Sequence, residues 1–160
     1  MGSPDADRDR VSGTLKHSDS ALEYSRAGIF EWRLPFDRIV IVGEFTISSL
    51  GDDYFFLFVT PIGECFQASF YALGQEACLA ALSERFGSVL EPALCNSTDL
   101  KSRVLWPAAL LGQPLLEPII TRPAGFLARM AYGLGLHPGN VHLSVPVRTH
   151  LGLSIPTHAA

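Results

Sequence analysis

Positive charge is scarce in this chain of 160 residues. It carries 12 Lys and Arg against 16 Asp and Glu, a formal net charge of −4. That balance argues against nucleic acid as the main partner, because binding the phosphate backbone needs clustered cations. Lysine occurs only as Lys16 and Lys101. Cysteine is almost as rare: Cys65, Cys78 and Cys95, with no C-x-x-C pair. The missing pair excludes the zinc-ribbon and thiol-redox spacings. The odd count and wide separation predict a reducing, cytoplasmic setting. No uncharged apolar run reaches the ~18 residues of a membrane span, so none is expected. The first residues also lack the apolar core of a secretory leader. Without that route Asn96-Ser97-Thr98 reads as a chance glycosylation spacing. There is no Walker A lysine and no G-x-S-x-G elbow, and Gly133-Leu134-Gly135 has no strand before it.

What the chain does have is apolar material, 48% of its residues, with a mean hydropathy of +0.23. A chain of this length and content can bury a sizeable core in one domain. Residues 1–26 are polar, with Asp5, Asp7, Arg8, Asp9 and Arg10 close together. They predict a disordered, dispensable tail. Residues 27–95 hold the regular patterns, and residues 96–160 form an extension whose path those patterns do not set. Charge is divided too. Residues 1–100 hold 7 basic and 15 acidic side chains, and residues 101–160 hold 5 basic ones against Glu117. Two halves that attract each other are the plainer reading, and a binding surface is the other.

Ile29, Trp32 and Leu34 suggest a first strand that ends at Pro35. Ile39 to Ile47 is dense in β-branched residues and reads as a strand buried on both faces. A turn over Ser48–Asp53 leads to an aromatic strand, Tyr54–Thr60. Pro61-Ile62-Gly63 is a hairpin turn, and Glu64–Tyr71 returns with a period of two. The period then changes. Leu79, Leu82, Phe86 and Leu90 lie on one stripe of a helix running from Gln75 to about Leu90, with Gly87 and Pro92 as stop signals. These patterns predict four antiparallel strands and then an amphipathic helix. Cys65 and Cys78 fall inside apolar patterns and are expected to be small core residues. Further on, Arg103–Trp106 suggests a short strand stopped by Pro107. Pro123 suits the start of a helix, and alternation from Val141 to Val147 suggests an edge strand.

The segment Leu34-Pro35-Phe36-Asp37-Arg38-Ile39, the strand Tyr54-Phe55-Phe56-Leu57-Phe58-Val59 and the following helix resemble, in order, small bacterial pleckstrin-homology-like domains. The likeness covers residues 32–90. It implies an α+β fold, a curved antiparallel sheet with a helix packed across one side. It also implies a binding or scaffolding module and supplies no catalytic residues.

Candidate sites follow from the same residues. Arg103, Trp106 and the apolar run Ala108–Leu111, with Leu110 in it, would be a partner surface if exposed and a lid on the core if covered. Asp52-Asp53, with Glu44 and Glu64 near in strand terms, is the densest acidic group of the patterned region. Beside Gly51 it suits turn chemistry. Trp32, Tyr54, Phe55, Phe56 and Phe58 lack interleaved cations and read as core rather than a base-stacking platform. His137, His142, His150 and His158 have no metal-ligand spacing on one element. The leading expectation is a non-enzymatic, cytoplasmic module that binds protein and needs no cofactor. The alternative is a small metal-assisted enzyme using Asp52, Asp53, His142 and His150. Lipid binding is not expected: from Ala27 to Cys95 only Arg33, Arg38 and Arg85 stand against nine acids.

Overall fold

The computed structural model describes residues 12–27, 30–47, 52–94, 100–118 and 141–154. Strands β1 (Thr14–His17), β2 (Ala21–Arg26) and β3 (Phe30–Pro35) form an antiparallel sheet in that order. A second antiparallel sheet has the order β6-β5-β4-β7. It comprises β4 (Ile41–Thr46), β5 (Tyr54–Val59), β6 (Cys65–Ser69) and β7 (Lys101–Trp106). Helix α1 (Gln75–Phe86) lies between β6 and β7 in the chain. Strands β8 (Leu116–Pro118) and β9 (Val141–Leu143) form a third, two-stranded sheet, and helix α2 (Val145–His150) follows. The protein is mixed α+β, with several antiparallel sheets and few helices.

The second sheet is the centre. Every residue of β4 and β5 is buried, as their nearly continuous apolar sequences predict for strands covered on both faces. Side chains alternate across it. Val42, Phe56, Phe58 and Leu105 face a core shared with Leu15, Leu22 and Leu34 of the first sheet and with Leu79 and Leu82 of α1. Ile41, Phe45, Phe55, Leu57 and Val104 face a second core closed by Leu110, Leu115, Leu143 and Val147. Gly43 permits the close approach on that second side. A Cβ there would lie 2.5 Å from Leu115 Cδ2 and 2.8 Å from the Arg103 carbonyl oxygen.

Local chemistry explains the connections. At the β5–β6 hairpin Thr60 N donates to Glu64 O at 3.0 Å and Gly63 N donates to Thr60 O at 2.9 Å, with Gly63 at φ 83°. Helix α1 ends at Phe86, short of the expected Leu90, at the first of its two stop signals. Gly87, at φ 61°, donates to Glu84 O, and Ser88 N donates to Ser83 O, the paired bonds of a glycine-terminated helix.

Several expectations are corrected. Residues 12–26 are no disordered tail: Leu15, Ala21, Leu22 and Tyr24 are buried. Leu15 lies opposite Tyr24, Leu22 opposite Leu34, and Tyr24 opposite Trp32. Polar residues on the outward face of a two-sided strand pair mask this period when composition is averaged over the segment. Among the described residues six strands therefore precede α1, in two sheets rather than one. The alternation at Val141–Val147 does not continue as an edge strand. Ser144 Oγ accepts from Val147 N at 3.4 Å and starts α2, with Pro146 in its first turn. Cys78 is buried but Cys65 is exposed, because Cys65 opens β6 at the hairpin end. The turn at 48–51, Cys95, the helix expected after Pro123, His137 and His158 lie outside the described residues.

The N-terminal hairpin sets a test. Leu22→Ala is expected to destabilise the fold by roughly 2–5 kcal/mol, as cavity-forming core truncations do. A chain starting at Ala27 is expected to lose cooperative thermal unfolding. Cooperative unfolding of the shortened chain near the full-length Tm would show that the hairpin is ornamental.

Candidate functional site: a groove beside the first helix

The site is built on a carboxylate in an apolar place. Glu44 occupies the middle of β4 and is 0% exposed. It lies on the same face as Val42, directly opposite Arg103 of β7. An isolated buried carboxylate is strongly disfavoured. Here Arg103 Nε sits 2.8 Å from Oε1, and the Tyr54 hydroxyl donates to Oε2. Ala93 N donates to both oxygens, at 3.0 and 3.2 Å. Arg103 reaches onward, donating through Nη2 to the Glu91 carbonyl at 2.9 Å.

These bonds fix the irregular segment after α1 to the sheet. Leu90 N adds a bond to Ser83 Oγ at 3.0 Å, tying the same segment back to the helix. Between the helix and this strap runs an open groove of about 620 Å³. Its wall on the helix side is Gln75, Glu76, Ala80 and Ser83, and its wall on the strap side is Val89 and Pro92. Phe70, Leu79 and Leu90 also line it. Phe70 stacks on Tyr54 with ring centroids 4.1 Å apart, so the ring in the groove and the buried carboxylate share a neighbour. Val89 is 73% exposed, a large apolar side chain that the fold leaves uncovered.

Two tyrosines and a cysteine near the site are held protonated. Burial, then the hydrogen bond and charge of Glu44, push the Tyr54 hydroxyl well above its usual range. Tyr71 donates to Asp53 Oδ1 at 2.8 Å. That bond, with burial and the charges of Asp53 and Asp52, raises its pKa to about 12. Burial pushes the Cys78 thiol up to about 11.

The residues singled out from the sequence are dispersed. Arg103 is engaged by Glu44 and the strap. Trp106 stacks on Phe86 of α1, with centroids 4.1 Å apart and planes 9° from parallel. Leu110 is buried in the opposite core. The three do not make one patch. In the run around Leu110, Leu111 is 59% exposed while Leu110 is covered. Asp52 accepts from Ser12 Oγ at 2.9 Å and lies 3.6 Å from Arg26 Nη1. Asp53 accepts from Tyr71. His142 lies opposite Glu117 in the β8–β9 ladder, and His150 is exposed at the end of α2. Among the described residues no three His, Cys, Asp or Glu side chains gather as a metal site. Sequence reasoning noticed Glu44 only as one acid among several. Its partner Arg103 is on a strand far along the chain, and nothing local signals that pairing. The chain matches no family model, no curated protein and no solved structure.

The buried pair generates one prediction. Arg103→Leu strands the Glu44 carboxylate without its cation and is expected to cost roughly 3–5 kcal/mol in urea unfolding. The double variant Glu44→Met/Arg103→Leu is expected to recover much of that, since no charge is then buried. A single variant within about 1 kcal/mol of the parent would mean that the pair is solvated.

The tyrosines generate another. Neutral Tyr54 and Tyr71 are favoured by folding, so the folded state keeps protons that the unfolded state loses above about pH 10. Their contribution is whole below that value and falls as pH rises through the raised folded values. The urea midpoint is expected to drop between about pH 10 and about pH 12, with phenolate absorbance lagging behind that of free tyrosine. A midpoint that stays level across this range contradicts the assignment.

Proposed function

We propose that this protein is a non-enzymatic protein-binding module that takes a short segment of a partner in the groove between α1 and the strap. The carrying observation is Val89, largely uncovered on the rim of a groove lined by Phe70, Leu79 and Leu90. Large apolar side chains left open around a concave surface are typical of interaction sites. The pleckstrin-homology-like resemblance belongs to the same proposal. Two antiparallel sheets and a helix on their common core support it, while the position of β7 after the helix departs from the resembling pattern.

Selection from a random-peptide display library tests the reading. Peptides with apolar anchors are expected to be enriched. Their binding is expected to fall on Val89→Ser and Ala80→Gln, with Tm unchanged because both side chains are exposed. Failure to enrich any peptide, or binding indifferent to both substitutions, would remove the groove as the site.

A further inference from the structure

The rim of the groove carries charge of one sign. Glu76 lines it, and Glu91 is exposed between the lining residues Leu90 and Pro92. The ion pairs among the described residues join Arg26 to Asp52, Arg33 to Glu23, Arg38 to Glu64 and Arg103 to Glu44, and none involves these two acids. Two cations of α1 and β7 are engaged elsewhere. Arg85 lies 5.0 Å over the ring of Phe36, and Arg103 is shared between Glu44 and the Glu91 carbonyl. The start of α1 would by itself favour an anion, but Glu76 stands in its first turn and offsets that field. Phe70, Leu79 and Leu90 line the groove, and among the described residues no Lys or Arg side chain forms an ion pair with Glu76 or Glu91.

Resting on the protein-binding reading, we propose that the groove's occupant is a basic peptide segment: one bulky apolar anchor flanked by Lys or Arg. The anchor would lie against Phe70, Leu79 and Leu90, and the flanking cations would meet Glu76 and Glu91. The volume, about 620 Å³, suits a few side chains rather than a folded domain. Acidic or phosphorylated segments would meet like charge at Glu76 in the lining and at Glu91 on the strap beside it, which costs affinity and slows encounter. An anionic membrane would meet the same repulsion.

The experiment uses the full chain and three fluorescent peptides with the same Phe-Leu centre, flanked by lysines, by serines or by glutamates. Fluorescence anisotropy is expected to rank them lysine, serine, glutamate. Affinity for the lysine peptide is expected to fall as salt rises, because the rim is solvent-exposed. Glu76→Gln with Glu91→Gln is expected to weaken the lysine peptide by roughly 3- to 10-fold and leave the serine peptide unchanged. Equal binding of all three peptides, preference for the glutamate peptide, or a double variant that still favours lysine would overturn the basic-segment inference while leaving the groove in place. No binding by any peptide, or binding untouched by Val89→Ser and Ala80→Gln, would overturn the groove reading itself and this inference with it.

Discussion

A strand covered on both faces leaves a charged side chain no route to water, and Glu44 stands at the middle of such a strand. The carboxylate is tolerable only because a cation, a phenol and a backbone amide converge on it. Those three come from β7, β5 and the segment after α1. The one acid therefore dictates where β7 must pair, which rotamer Tyr54 holds and how the chain leaves the helix. Replacing such a centre by apolar residues is often neutral for stability. What the charged version adds is a definite position for a segment that has no ladder or helix of its own.

The groove inherits its shape from that constraint. Its helix wall is set by Gly87, which turns the chain back at the end of α1, and by Ser83, which holds Leu90 from the helix side. Its opposite wall is held from below by Glu44 and Arg103. Phe70 is steadied by Tyr54, itself hydrogen-bonded to the same carboxylate. A surface built this way has its backbone ordered before any ligand arrives, which lowers the ordering entropy that binding must overcome.

Legibility of the fold in the sequence tracked how local each signal was. The β-branched run of β4, the Pro-Ile-Gly hairpin and the stripe of Leu79, Leu82 and Phe86 are all short-range, and each names its element. The strands around Leu15 and Leu22 were obscured because alternate residues there are Lys16, Glu23 and Ser25, which average the segment to a polar tail. The stretch from Val141 looked like one strand because Ser144 fits an alternating pattern as well as it fits a helix cap, and only the cap bond decides. The groove was the least legible part. Its helix was named, but Val89 and Leu90 were placed on that helix rather than on the strap, and the pairing of Glu44 with Arg103 joins two strands that are far apart in the chain. No spacing rule reports such a pair.

Trp32 governs a different hazard, that of an open sheet edge. Thr60 N bonds to Glu64 O and Phe70 N to Tyr54 O, so the even-numbered residues of β6 face β5 and Gln67 turns its backbone outward. The indole Nε1 donates to that outward Gln67 carbonyl at 2.8 Å. The ring is itself gripped by Tyr24, Phe58 and Phe66, with centroids 5.7 to 5.8 Å away. A second molecule seeking to extend the sheet at this edge would have to displace a side chain embedded among three aromatic neighbours. The same tryptophan that joins the two sheets thus discourages strand-to-strand polymerisation in concentrated solution.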